Sequence, residues 1–141
     1  MKIILNKCFG GFDVSPEGYE LYAKKKGLEL YKYKDNLDFR NHEYIKIKGE
    51  KNELFKHYFT KDFGEIAKIS DEDYEKYNLY LREENRRDQT LIEVVEELGE
   101  KASGRFGELE VVEIPDNSFY KIDEYDGLET LYYSDSKINI K

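Results

Sequence analysis

One cysteine, one methionine, two prolines and no tryptophan stand in a chain of 141 residues. The lone thiol, Cys8, excludes an internal disulfide and a cysteine-rich zinc site. No apolar run approaches the roughly 18 residues that a membrane span needs. The run in Met1–Lys7 is too short for a secretory signal. These absences predict a soluble, cytoplasmic protein without a membrane partner. Lys and Arg number 23 against 31 Asp and Glu, a formal net charge of −8. That balance argues against duplex DNA, whose binding rests on neutralising phosphates. It leaves room for a local basic pocket.

What is present is aromatic and ionic. Thirteen Tyr and eight Phe supply a large buried area and exclude disorder. Charged residues make up 38% of the chain, against about a quarter in an ordinary domain. The length suits one domain, 1–141.

Residues 2–8 read as a strand covered on both faces. Cys8-Phe9-Gly10-Gly11-Phe12-Asp13 is a glycine turn between aromatics. Ser15-Pro16 starts a helix that runs to about Lys26 and closes on Gly27. Tyr19, Tyr22 and Ala23 form its apolar stripe. Leu28–Lys34, Tyr44–Lys48 and Leu54–Thr60 alternate and predict an antiparallel meander, with turns at 35–41 and 49–52. In 61–89, Ser70 and Asp73 cap a short helix with Tyr74, Tyr77 and Leu81 on one face. Arg82–Asp88 reads as an exposed charged run. Thr90 and Glu93 form a capping box for the clearest helix, with Leu91, Val94, Val95, Leu98 and Ala102 on its core face and Gly104 at its end. Glu108–Ile114, Phe119–Glu124 and Leu128–Tyr133 read as strands, the last two joined by an Asp126-Gly127 hairpin. Residues 134–141 read as a fraying tail. The sum is an α+β fold, mostly antiparallel sheet with two or three helices.

Five constellations bear chemistry. The strand–glycine–helix unit (Asn6, Lys7, Gly10, Gly11) could present N–H groups to an anion, or simply be a tight turn. Arg82, Arg86, Arg87 and Arg105 could grip phosphate, or form a salt-bridged surface. Glu93, Glu96, Glu97 and Glu100, with Asp123, Glu124 and Asp126, could hold a divalent cation, but no His accompanies them and a soluble helix face is the better reading. Cys8 could be a nucleophile, yet nothing in the sequence ties His42 or His57 to it. The surplus of tyrosine points to a binding surface or to base stacking, or merely to coding bias.

Two stretches carry a resemblance. One is Lys2-Ile3-Ile4-Leu5-Asn6-Lys7-Cys8-Phe9-Gly10-Gly11-Phe12. The other runs from Arg87-Asp88 through Val94-Val95-Glu96-Glu97-Leu98-Gly99-Glu100-Lys101-Ala102-Ser103-Gly104-Arg105-Phe106 and Val111-Val112-Glu113-Ile114-Pro115-Asp116 to Ile122-Asp123-Glu124-Tyr125-Asp126-Gly127. Together they resemble a family of small proteins of tailed bacteriophages and prophages. The resemblance covers the two ends of the chain, and 28–80 matches nothing. It implies an origin, a phage protein acting in a bacterial host's cytoplasm, rather than a chemistry.

On that origin the leading expectation is a non-enzymatic counter-defence protein, without cofactor or metal, that sequesters a small nucleotide-derived signal. Asn6, Lys7, Gly10 and Gly11 would cradle phosphate, and Arg87 and Arg105 would neutralise it. Phe9, Phe12 or Tyr125 would stack on a base. A homo-oligomer is expected. The alternative is an acidic inhibitor of a host defence enzyme, in which the Glu93–Glu100 face mimics nucleic acid. A small hydrolase using Cys8 or a carboxylate-bound metal ranks third.

Overall fold

The computed structural model describes residues 1–36, 43–48 and 56–134. His42, the 49–52 turn and most of the 35–41 and 134–141 segments lie outside the described residues. The architecture is α+β, with antiparallel sheets. Contacts divide the chain into two units, 1–22 with 81–141, and 23–80.

The first unit is built on β1 (Lys2–Asn6), which pairs antiparallel with β6 (Leu109–Glu113). Ile3 and Leu5 face one way, together with Val112 and Ile114. They pack on Tyr120, Ile122 and Leu131 of a hairpin, β7 (Phe119–Tyr125) and β8 (Leu128–Ser134). Asp126 and Gly127 both take positive φ at its turn, as a two-residue primed turn requires. α3 (Gln89–Leu98) packs on β1 and β6 and buries Leu91, Ile92, Val94 and Val95. Its cap is Asp88, whose carboxylate accepts from Thr90 N–H, two residues earlier than the Thr90 box predicts. A 3-10 turn, Gly99–Ala102, continues the helix before Gly104.

α1 (Pro16–Lys26) begins as its sequence predicts. Ser15 Oγ accepts from Gly18 N–H, and Gly27 takes φ +70° at the other end. A Cβ on Gly18 would lie 2.6 Å from Val14 Cγ1, so the helix-weakening glycine is required by packing.

The second unit is a four-stranded sheet: β2 (Tyr31–Asp35), β3 (Glu43–Lys46), β4 (Lys56–Phe59) and β5 (Ile66–Lys68). Its order is β4-β2-β3-β5, not a meander, because β4 returns beside β2 and the unforeseen β5 takes the edge of β3. Short α2 (Asp71–Tyr77) is capped by Ser70, as predicted. It ends at Tyr77, so Leu81 does not share its face. The core is aromatic: Tyr33, Tyr44, Phe59, Ala67 and Ile69, with Tyr31, Phe63, Tyr74 and Tyr77 around them. Tyrosine therefore serves as core here, its hydroxyl kept satisfied. Tyr33 Oη donates to Gly64 O and accepts from Phe63 N–H.

Candidate functional site

The two stretches that carry the resemblance meet in space. Gly10 N–H donates to Asp126 O, and Gly11 N–H to Phe106 O. The approach is too close for side chains. A Cβ on Gly10 would lie 2.2 Å from Phe106 O, and one on Gly127 would lie 2.1 Å from Gly10 O. Asn6 is fully buried at the centre. Its Nδ2 donates to Cys8 O and Gly127 O, and its Oδ1 accepts from Glu108 N–H. The glycine and asparagine donors expected to cradle phosphate are thus spent on the protein's own carbonyls. They form a knot that ties β1, the loop before β6 and the hairpin together.

The other expected ligand residues divide. Lys7 is exposed, as are Phe9, Tyr125 and Arg105. Phe9 and Tyr125 meet edge-on at 6.3 Å, and Arg105 lies 5.9 Å from the Phe106 ring. Phe12 is half-buried under the Arg86 guanidinium, 5.6 Å away. Arg87 lies elsewhere. It lines a hollow with Met1, Ile92, Pro115 and Asp116, at the far end of β1 from Gly10. Arg105 is not among the residues that line this hollow.

Arg86 is not part of an exposed charged run. It turns inward and makes a two-pronged bridge to Glu129, at 2.7 and 3.1 Å. Arg86 Nη1 also donates to Ile4 O, and Glu129 accepts from Asn6 N–H. Glu129 is only 5% exposed. In the sequence it sits in a predicted hairpin strand with no mark of burial, so reasoning from the sequence missed it.

Cys8 Sγ donates to Asn6 Oδ1 and to Phe106 O, at 3.5 and 3.7 Å. Neither partner is a base. His57 lies in the second unit, partly buried. Its Nδ1 lies 2.8 Å from Tyr74 Oη and its Nε2 3.2 Å from Asp35 Oδ1, with the Tyr44 ring against it. Among the described residues no three His, Cys, Asp or Glu side chains group as metal ligands. No helix among them is long and apolar enough to cross a membrane.

The prominent concavity of the first unit is an open groove of about 1140 Å³ between α3 and β6. Val95, Leu109 and Val111 contribute apolar surface. Glu96, Glu100, Glu108, Glu110 and Glu113 line it with carboxylates. Among the described residues that line it the one cation is Lys2, bound to Glu96 at 2.8 Å, and that hydrogen bond with its carboxylate charge holds the Lys2 ammonium above its ordinary pKa. Glu96 and Glu100 come from the predicted acidic helix face. Glu108, Glu110 and Glu113 were missed, although Glu108 and Glu110 stand two apart in a predicted strand. Only the tertiary fold brings them to the groove beside the helix.

No family model, curated protein or solved structure matches the chain.

Proposed function

We propose that this protein is a binding module that captures a basic partner protein in the glutamate-lined groove between α3 and β6. The observation that carries the reading is the groove itself: among the described residues, five carboxylates line an open concavity whose one ammonium already rests on one of them. The unit that contains it carries the whole acidic excess behind the chain's net charge of −8. Such a surface attracts cationic surfaces, speeds their encounter and repels nucleotides and nucleic acids. In the phage setting that the resemblance implies, the partner would be the basic, nucleic-acid-binding face of a host defence enzyme. The role needs no cofactor.

The test uses a lysine-rich peptide titrated into the intact protein by calorimetry. Binding should weaken steeply with salt, and Glu96→Lys with Glu100→Lys should abolish it. Glu83→Lys with Glu84→Lys, on the exposed 3-10 turn 83–85, should leave it nearly intact. Equal loss in both pairs would reduce the effect to net charge and remove the groove from the reading.

A second reading rests on a separate observation: three exposed rings, Phe9, Tyr125 and Phe106, lie at the glycine knot with Arg105 beside them. This is where a nucleotide-derived signal would stack. Arg105 and Lys7, rather than glycine N–H groups, would meet its phosphates. Native mass spectrometry of the protein purified from bacteria tests it. A retained nucleotide lost in Arg105→Ala favours this reading, and unaltered retention in that variant refutes the site.

A further inference from the structure

The β1–β6 sheet has an open edge, and it opens into the acidic groove. In an antiparallel pair, alternate residues turn their backbone N–H and C=O toward the partner strand or away from it. Lys7 N–H donates to Glu108 O, and Ile114 N–H to Met1 O. Residues 108, 110, 112 and 114 therefore face β1, and the backbones of Leu109, Val111 and Glu113 face outward. Ser103 Oγ accepts from the Leu109 N–H. The outward N–H and C=O groups of Val111 and Glu113 have no partner among the described residues.

The opposite edge of the same sheet is closed. Ile4 N–H donates to Arg86 O, Ile4 O accepts from the Arg86 guanidinium, and Asn6 N–H donates to Glu129. Unpaired edges attract other strands unless they are covered or charged. Among the described residues nothing pairs with β6 along this edge beyond Ser103, and all the charge on and around it that Lys2 does not offset is negative. Carboxylates directly across a strand pair repel, so a second copy of this edge is a poor occupant. A strand with ammonium or guanidinium groups is a good one. Lys2 on Glu96 displays the contact that such a cation would make.

We propose that β6 accepts a third strand: an extended, Lys- or Arg-rich segment of a partner protein. Its backbone would pair with Val111 and Glu113, and its cations would meet Glu96, Glu100 and Glu113 on the α3 face of the sheet. This deepens the acidic-groove reading and rests on it. Main-chain pairing supplies affinity, and the carboxylates choose the side chains.

The probe is a peptide of about twelve residues alternating Lys and Thr, long enough to span a strand. Two further versions carry N-methyl groups on alternate amides, one in each register. At least one methylated version should bind about tenfold more weakly, since backbone pairing contributes on that scale. Val111→Pro should cost about as much. It deletes an outward donor and leaves the bonds to β1, which is where an edge strand tolerates proline. Amide exchange at Val111 and Glu113 should slow when peptide is bound.

If both methylated peptides bind like the parent and those two amides exchange unchanged, strand addition is overturned while the acidic groove stands. If no lysine peptide binds even at low salt, the groove reading falls and this inference with it. If the two amides are already protected in the free protein and it sediments as a dimer, the edge belongs to a second copy and the proposal is refuted.

Discussion

Removing Glu129 should unfold more of this protein than its position near the end of the chain suggests. The carboxylate is 5% exposed and answers two groups at once. It neutralises Arg86 through two hydrogen bonds and accepts the Asn6 N–H at 2.8 Å. Glu129→Ala leaves a guanidinium, itself 14% exposed, whose hydrogen bonds among the described residues go to the neutral carbonyls of Ile4 and Glu83. Breaking one side of a buried ion pair costs about 3–5 kcal/mol. The orphaned Asn6 amide accounts for about 1–3 kcal/mol of that. A domain of this size has about 5–15 kcal/mol in total, so the variant should sit close to its unfolding threshold. The assay is urea denaturation followed by far-UV circular dichroism and tyrosine fluorescence, the chain having no tryptophan. The midpoint should fall sharply with the slope unchanged. Arg86→Met combined with Glu129→Leu should recover much of the loss, because the uncompensated charge leaves with its partner. A loss below about 1 kcal/mol in Glu129→Ala, the size of a surface pair, would refute the claim that this bridge is a buried strut.

The glycine knot makes a sharper contrast. Gly127→Ala should destabilise by more than about 3 kcal/mol, because positive φ combines with a Cβ placed 2.1 Å from Gly10 O. Gly27→Ala, also at positive φ but facing open space, should cost only about 1 kcal/mol in thermal melts. Ultraviolet titration with alkali should show a late-ionising class of tyrosines. Burial raises Tyr22, Tyr33, Tyr44 and Tyr74 above the ordinary value of about 10, and Tyr22 is raised further by its hydrogen bond to Asp88. Their folded pKa values exceed the unfolded ones, so the stabilisation is complete below about pH 10. It disappears as pH rises through the folded values, and unfolding should set in there. A single tyrosine transition near pH 10 with the fold intact would contradict this.

Local chemistry wrote much of the secondary structure into the sequence. Ser15-Pro16 and Gly27 bracket α1, Ser70 caps α2, and Asp126-Gly127 turns the last hairpin because each signal acts within a few residues. The segments 2–8 and 108–114, read as strands, contain β1 and β6. The acidic face of α3 was legible through Glu96 and Glu100. What lay beyond local reach was decided by tertiary contacts. The return of β4 beside β2, and the pairing of β5 with β3, depend on strands far apart in sequence. Whether Arg86 is surface or strut depends on Glu129, forty-three residues away. The glycines at 10 and 11 read alike as anion cradle or as tight turn, and only the tertiary fold hands their N–H groups to the carbonyls of Asp126 and Phe106. The groove has the same origin. Two of its carboxylates belong to α3 and the turn after it and three to β6 and the residue before it, so its negative field exists only once helix and strand are packed together.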